Sequence, residues 1–255
     1  MREAFKSDGD SFLYDERREG GLLTLSRPLG DYSRGFVTVR RDDLRVEDID
    51  DDVDPNDVLF SDQSVRSLAL GVVSDTRDIA KNPTKGSRLS FVTETAGMAG
   101  GASFDKYIVD LRRYISFGPR PKEEEIAALL QRKVLAFRLL VGTTTGDPPF
   151  LEQFLLGGVD TLRGYSPDRF PGEKQALLNF EYRFPLSDTL QGVLFVDTGD
   201  AWGGSFAEQY GDTSFKAHTG YGVGIRLQSP IGPLRLDYGT GSEGSEVHFG
   251  MGHMF

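Results

Sequence analysis

The stretch QALLNFEYRF, residues 175–184, decides the fold. In it Asn179, Glu181 and Arg183 interleave with Leu178, Phe180, Tyr182 and Phe184, so polar and apolar positions alternate with a period of two. Successive side chains of a strand point to opposite faces, whereas apolar positions of a helix recur every three or four residues. The segment is therefore a two-faced β-strand. The same pattern recurs downstream. Tyr221, Val223, Ile225 and Leu227 alternate with Gly222, Gly224, Arg226 and Gln228, and Leu234, Leu236 and Tyr238 alternate with Arg235 and Asp237.

Upstream, residues 21–28, 34–42, 65–75, 87–95, 106–116 and 133–143 read as further strands, each ending near Gly, Pro, Asp or Asn turn signals. With residues 192–197 and 247–255 the count reaches about eleven, and residues 2–6 offer a twelfth. Connections alternate between tight and long, as a membrane barrel requires of its periplasmic and outer ends. The turn SPIGP (residues 229–233) is tight, and counting back from it puts residues 46–61, 151–173 and 198–217 at the outer end. PKEEEIAALLQR (residues 121–132) falls at the periplasmic end; its Pro start, early Glu residues and helix formers predict a short amphipathic helix.

No apolar run approaches the roughly 18 residues of a spanning helix, but a barrel strand needs only about 9–11 and shows polar groups to its lumen. A hydrophilic average composition is compatible with such a barrel. The 255 residues contain no cysteine, which removes disulfides and thiolate metal sites, and a net charge of -10 argues against nucleic acid as a partner. The opening MREAFKSDGD lacks the apolar core of an export signal, so an outer-membrane reading requires sequence upstream. A soluble β-sandwich is the competing architecture, since alternation also describes a sheet with one dry face. Tyr182, Phe184, Tyr221, Tyr238, Phe249 and Phe255, on apolar faces near strand ends, favour interfacial girdles and hence the barrel.

Five segments then occur in order: FLLGGVDTLRGY (residues 154–165), NFEYRFPL (179–186), VLFVDTGDAW (193–202), GYGVGIRLQSPIGPLRLDYG (220–239) and a terminal VHFGMGHMF. This succession resembles the barrel-assembly insertase superfamily, the BamA/TamA-like bacterial outer-membrane surface antigen family. Residues 74–91 resemble a further family feature, so the likeness covers nearly the whole chain. The resemblance implies an all-β, antiparallel transmembrane β-barrel with a long loop folded into its lumen. It places Gly157, Gly158, Leu162, Arg163, Gly164 and Tyr165 in that loop. Arg163 matches the arginine that, in the family, meets carboxylates of the inner wall, and Glu181 and Asp197 occupy the wall positions. Alternation independently turns Glu181 inward. A guanidinium held between two carboxylates would act as a latch, with the glycines letting the backbone approach the wall.

The resemblance also makes the terminal strand an assembly signal, carried by Phe249, Gly250, Met251, Gly252, His253 and Phe255. There Val247, Phe249, Met251, His253 and Phe255 are expected to share one face, and His253 stands where a second aromatic is usual.

Other signals carry less. Asp50, Asp52 and Asp54 begin like a calcium loop, but Pro55 replaces the required glycine and no glutamate closes it. A solvated outer loop is the reading there. His218, His248 and His253 are the only histidines, and the last two are expected on opposite sides of their strand, so neither a metal site nor a cofactor is expected. No phosphate loop or nucleophile elbow is present, and the chain is not read as an enzyme.

The implied function is assembly: a barrel that helps nascent β-barrel proteins fold into the outer membrane, with lipid, those nascent chains, and periplasmic accessory lipoproteins or chaperones as partners. The alternatives are a related polypeptide translocator or secretion pore, and the barrel anchor of a patatin-type esterase. Upstream POTRA repeats or a hydrolase domain would discriminate among them. Residues 1–255 are read as one barrel domain without POTRA repeats. The family barrel has sixteen strands and, at about 21 residues per strand and connection, needs roughly 340 residues. A barrel truncated at its N-terminus is therefore expected, with a natural twelve-stranded barrel as the alternative.

Overall fold

The computed structural model describes residues 2–5, 12–47, 63–117, 132–204, 207, 211–229 and 232–255. Seven strands precede the long loop: β1 (Arg2–Phe5), β2 (Phe12–Pro28), β3 (Ser33–Glu47), β4 (Gln63–Asp75), β5 (Gly86–Ala96), β6 (Ser103–Phe117) and β7 (Lys133–Asp147). Inside the loop lie two short strands, β8 (Phe154–Leu156) and β9 (Phe170–Gly172). Then follow β10 (Lys174–Pro185), β11 (Leu190–Trp202), β12 (His218–Ser229), β13 (Gly232–Gly241) and β14 (Gly244–Met251). Twelve of these form one sheet in chain order, each antiparallel to its neighbour, while β8 and β9 pair with each other. β1 and β14 are its edges, and no ladder joins them among the described residues.

The sides of the sheet differ as the alternation requires. On β7, Val134, Ala136, Arg138 and Leu140 are buried, whereas Leu139 and Val141 are about two-fifths exposed. On β11, Val193, Phe195 and Asp197 are buried while Leu194 and Val196 are exposed. Outward rows continue through Val37 and Val39, Leu70 and Val72, Leu89 and Phe91, Tyr107 and Val109, Tyr221 and Val223, and Leu236 and Tyr238. Contiguous apolar surface on this scale needs lipid or another apolar partner. A soluble sandwich would bury those rows, so the barrel replaces that alternative. The inner side instead carries buried Arg138, Glu181, Arg183, Asp197, Arg226, Arg235 and Asp237 together with an apolar cluster under the loop.

Several boundaries differ from the sequence reading, among them the end of β3 at Glu47 rather than residue 42 and the end of β7 at Asp147 rather than residue 143. β2 begins at Phe12 rather than residue 21, and β11 runs to Trp202, beyond residue 197. Both extensions are polar on alternate and adjacent positions, which conceals the period. The terminal strand is shorter than expected. It ends at Met251, where Gly252 adopts a φ of +87° and donates its N–H to the carbonyl oxygen of Pro233. That left-handed step, open to glycine, breaks the alternation. Val247, Phe249 and Met251 do share the outer face, but Phe255 is buried with Met254, Tyr114, Val134 and Ala136. Phe255 therefore does not belong to the outer aromatic girdle, and His253 does not continue the outer row. The expected helix over residues 121–132 lies, but for Arg132, outside the described residues, as does the acidic stretch 48–57.

Candidate functional site

Residues 148–173 leave β7 and return to β10 through the inside of the sheet. A 3-10 turn (Phe150–Glu152) precedes the β8–β9 hairpin, whose register pairs Leu155 with Pro171. The tip between those strands turns on Gly157, Gly158 and Gly164, with φ of +127°, +84° and +89°. Thr161 Oγ1 donates to the carbonyl of Gly157 and accepts its N–H, closing the tip on itself. Leu162 and Tyr165 pack with Phe154, Leu156 and Phe170 of the loop, and with Leu140, Leu177 and Ala201 of the wall.

Arg163 is fully buried at the centre of this arrangement. Its Nε and Nη2 donate to the two oxygens of Asp197 at 2.7 and 3.0 Å, and its Nη1 donates to Glu181 Oε1 at 2.7 Å. The backbone N–H of Arg163 also donates to Asp197 Oδ2, and the guanidinium lies 3.6 Å from the centroid of the Phe195 ring. Planar guanidinium, bidentate carboxylate and aromatic face together define one orientation. Burial opposes the charge, but Asp197, Glu181 and Asp237 outweigh it and hold the Arg163 guanidinium protonated. The expected partners, Glu181 and Asp197, are thus the ones brought to Arg163.

The cluster is larger than the sequence reading. Asp237 Oδ2 lies 3.4 Å from Arg163 Nη1, and Arg226 bridges Asp237, at 2.5 Å, and Glu181, at 3.4 Å. Arg183 pairs with Glu181 Oε2 at 2.8 Å and donates to the main-chain oxygen of Phe255. Three guanidiniums, from Arg163, Arg183 and Arg226, thereby balance three carboxylates, from Glu181, Asp197 and Asp237. Such balance is what permits ionic groups to be buried so completely. Asn179 adds a donor to Asp197 Oδ1 at 2.8 Å and to the carbonyl of Thr161. Asp237 and Arg226 were legible: both sit on the polar face of strands whose alternation is plain.

A second anchor holds the start of the loop. Glu152, 4% exposed, meets Arg40 at 3.0 Å, Lys106 at 3.1 Å and Arg18 at 3.3 Å, and Lys106 also donates to the Glu152 carbonyl at 2.6 Å. Its partners lie on β2, β3 and β6, so residues distant in sequence converge on one carboxylate. Nothing in the local pattern around Glu152 announces this. The wall also prepares room for the tip, since side chains at Gly220 and Gly239 would collide with the backbone of Arg163 and Gly164. His248 Nε2 accepts the Gly164 N–H at 3.1 Å, so the Nδ1 tautomer carries the proton.

Of the terminal residues, Phe249, Gly250 and Met251 lie on the edge strand β14. Gly252 makes the turn and Phe255 enters the lumen. His253 follows it: burial first, then Arg183, drives its imidazole well below the usual range, so it is neutral.

The profile of the Omp85 superfamily domain matches residues 3–255. The outer membrane protein assembly factor BamA of Nitratidesulfovibrio vulgaris is 28% identical over 264 residues, which cover 92% of this chain and 32% of that protein. The chloroplastic outer envelope protein 80 of Arabidopsis thaliana is 33% identical over 123 residues, covering 46% of this chain and 17% of that one. Among solved structures, BamA from Haemophilus ducreyi lacking POTRA domains 1–3 superposes with a TM-score of 0.72 at 15% identity, over 98% of this chain and 55% of its own. CdiB from Acinetobacter baumannii gives 0.68 at 14%, over 92% and 42%. The chain spans about a third of the assembly factor it matches. With the profile match over nearly its full length and a BamA-like barrel in that same span, the chain belongs to the Omp85 superfamily and is an integral outer-membrane protein.

Proposed function

We propose that this barrel belongs to an outer-membrane protein assembly factor, which lowers the barrier for nascent β-barrel proteins to fold into the bilayer. The observation that carries the reading is the loop tip fastened to the wall by Arg163 and hydrogen-bonded through Gly164 to His248 of the edge strand β14, which pairs with β13 and has no ladder on its other side among the described residues. A nascent strand in lipid has backbone groups that hydrocarbon cannot satisfy. An open edge offers those groups partners, and a lumen occupied by a fixed loop directs the work to that edge rather than through the pore. Sequence likeness to an assembly factor over 92% of the chain supports the same reading. Lipid and the nascent barrels are the partners, with periplasmic lipoproteins or chaperones as accessories. Catalytic chemistry plays no part in it.

A polypeptide translocator is the second reading, favoured by the likeness to TOC75-4 of Arabidopsis thaliana, 25% identical over 68% of this chain, and by the CdiB superposition. Liposome reconstitution separates the two. The protein should accelerate folding of an unfolded outer-membrane barrel supplied from outside, and Arg163→Ala should slow that acceleration. Passage of a polypeptide into the vesicle lumen, with no gain in barrel folding, would establish the translocator instead.

A further inference from the structure

Away from the Arg163 cluster, three side chains from three elements converge at the outer end of the wall. Asp200 lies two residues before the end of β11, Asp212 in the connection to β12, and His218 is the first residue of β12. His218 Nε2 lies 2.8 Å from Asp212 Oδ2 and 4.0 Å from Asp200 Oδ1. One donor atom from each residue falls within 4.8 Å of the others. Sequence gave no reason to group them, because the histidine's neighbours in space are carboxylates from two other places in the chain and not other histidines.

Asp200 supplies the second, independent observation. Its side chain is fully buried. Oδ2 accepts the backbone N–H of Lys216 at 2.8 Å, while Oδ1, the oxygen facing His218, has no hydrogen-bond partner among the described residues. A buried carboxylate oxygen without a partner is unfavourable, and a bound cation would satisfy it and compensate its charge.

We propose that Asp200, Asp212 and His218 form a binding site for a divalent first-row transition ion, of which zinc is the probe. The donor set is two carboxylate oxygens and one imidazole nitrogen, which suits a borderline cation and not the all-oxygen shell of calcium. Tetrahedral zinc, with bonds of about 2.0–2.1 Å, spaces its donors roughly 3.3 Å apart. The separations of 2.8 and 4.0 Å straddle that spacing, so small side-chain rotations complete the site. To ligate the ion through Nε2, His218 takes the Nδ1–H tautomer, any proton on Nε2 passing to solvent, and water fills the remaining coordination position.

The ion has a structural consequence. The His218 ring stacks on Phe170, with centroids 3.9 Å apart and planes 20° apart, and Phe170 belongs to β9 at the base of the lumenal loop. An ion held here ties the end of β11, the connection to β12 and, through that stack, the lumenal loop into one unit. Without it, Asp212 only orients the imidazole.

Equilibrium dialysis of the folded protein in detergent against buffered zinc, with bound metal measured by elemental analysis, tests the site. Expected is one zinc per chain, with affinity lowered about tenfold or more in Asp212→Asn and in His218→Gln. Heat-shifted gel mobility confirms that each variant is folded. Cobalt provides the readout that needs no variant: a four-coordinate visible spectrum is expected for the wild-type protein. Zinc binding that is equal in folded variants, absence of bound zinc, or a six-coordinate cobalt spectrum like that of the aqueous ion would overturn the proposal.

Discussion

Gly220 on β12 lies directly against the carbonyl oxygen of Arg163, so that a β-carbon at residue 220 would occupy the space of that oxygen. The contact is between backbone and backbone, and neither side can move aside as a flexible side chain would. Gly220→Ala is expected to push the loop tip off the wall and destabilise the barrel by about 1–3 kcal/mol, the range for overpacking a close contact. Thermal unfolding followed by gel mobility measures it. A variant as stable as the parent, with the loop equally resistant to protease, would show that the tip is not seated there.

Arg163→Ala leaves Asp197 fully buried with Asn179 as its remaining side-chain donor, and removes one of two guanidiniums within 3 Å of Glu181. Breaking a buried pair from one side costs about 3–5 kcal/mol because a charge is stranded. Arg163→Met combined with Asp197→Asn removes both signs together and is expected to recover a large part of that loss. If the double variant is no more stable than Arg163→Ala, stranded charge is not the source of the effect.

Much of this was readable because lipid imposes a strict rule on strands: the outer row must be apolar, and the inner row is free to be charged. Residues 175–184, 221–228 and 234–238 obey it, and Glu181, Asp197 and Asp237 all fall on the inner row. Where the rule lapses, so does legibility. β2 begins in FLYDERREGG, where charges occupy adjacent positions, so residues 12–20 carry no period of two. The end of β14 was overextended because Gly252 fits an alternating pattern on paper but takes a left-handed φ in the fold. Glu152 could not be found at all, since its three cations come from strands more than forty residues away.

Glu152 makes the loop anchor sensitive to acid. Burial pushes its carboxyl up, but Lys106, Arg40 and Arg18 together hold it below the ordinary value of 4.5. A carboxyl depressed in the folded state stabilises it above the ordinary value, and that contribution is lost as pH falls through the folded one. Protease cleavage within residues 148–173 is therefore expected to rise as the pH drops below about 4.5. Glu152→Gln should be cleaved readily already at pH 7. If the parent and Glu152→Gln respond identically to acid, other carboxylates govern the loop.

Phe255 separates two roles that the sequence reading had joined. An exposed aromatic on the outer face would serve only recognition or lipid contact, and its loss would leave the folded barrel's stability unchanged. Instead Phe255 is 3% exposed, packs with Tyr114 at 6.5 Å between ring centroids, and its main-chain oxygen accepts from Arg183, which pairs with Glu181. The terminus is therefore linked to the Arg163 cluster through two charged side chains. Phe255→Ala is expected to lower the stability of the already folded barrel by about 3 kcal/mol, the lower end for emptying a buried phenylalanine site. Phe249→Ala, which removes a ring 71% exposed on the outer face of β14, should have a far smaller effect in detergent. Unfolding both variants from the folded state, so that assembly efficiency does not enter, provides the comparison. Equal stability of the two would return Phe255 to the outer surface and break the proposed link between the terminal residue and the loop latch.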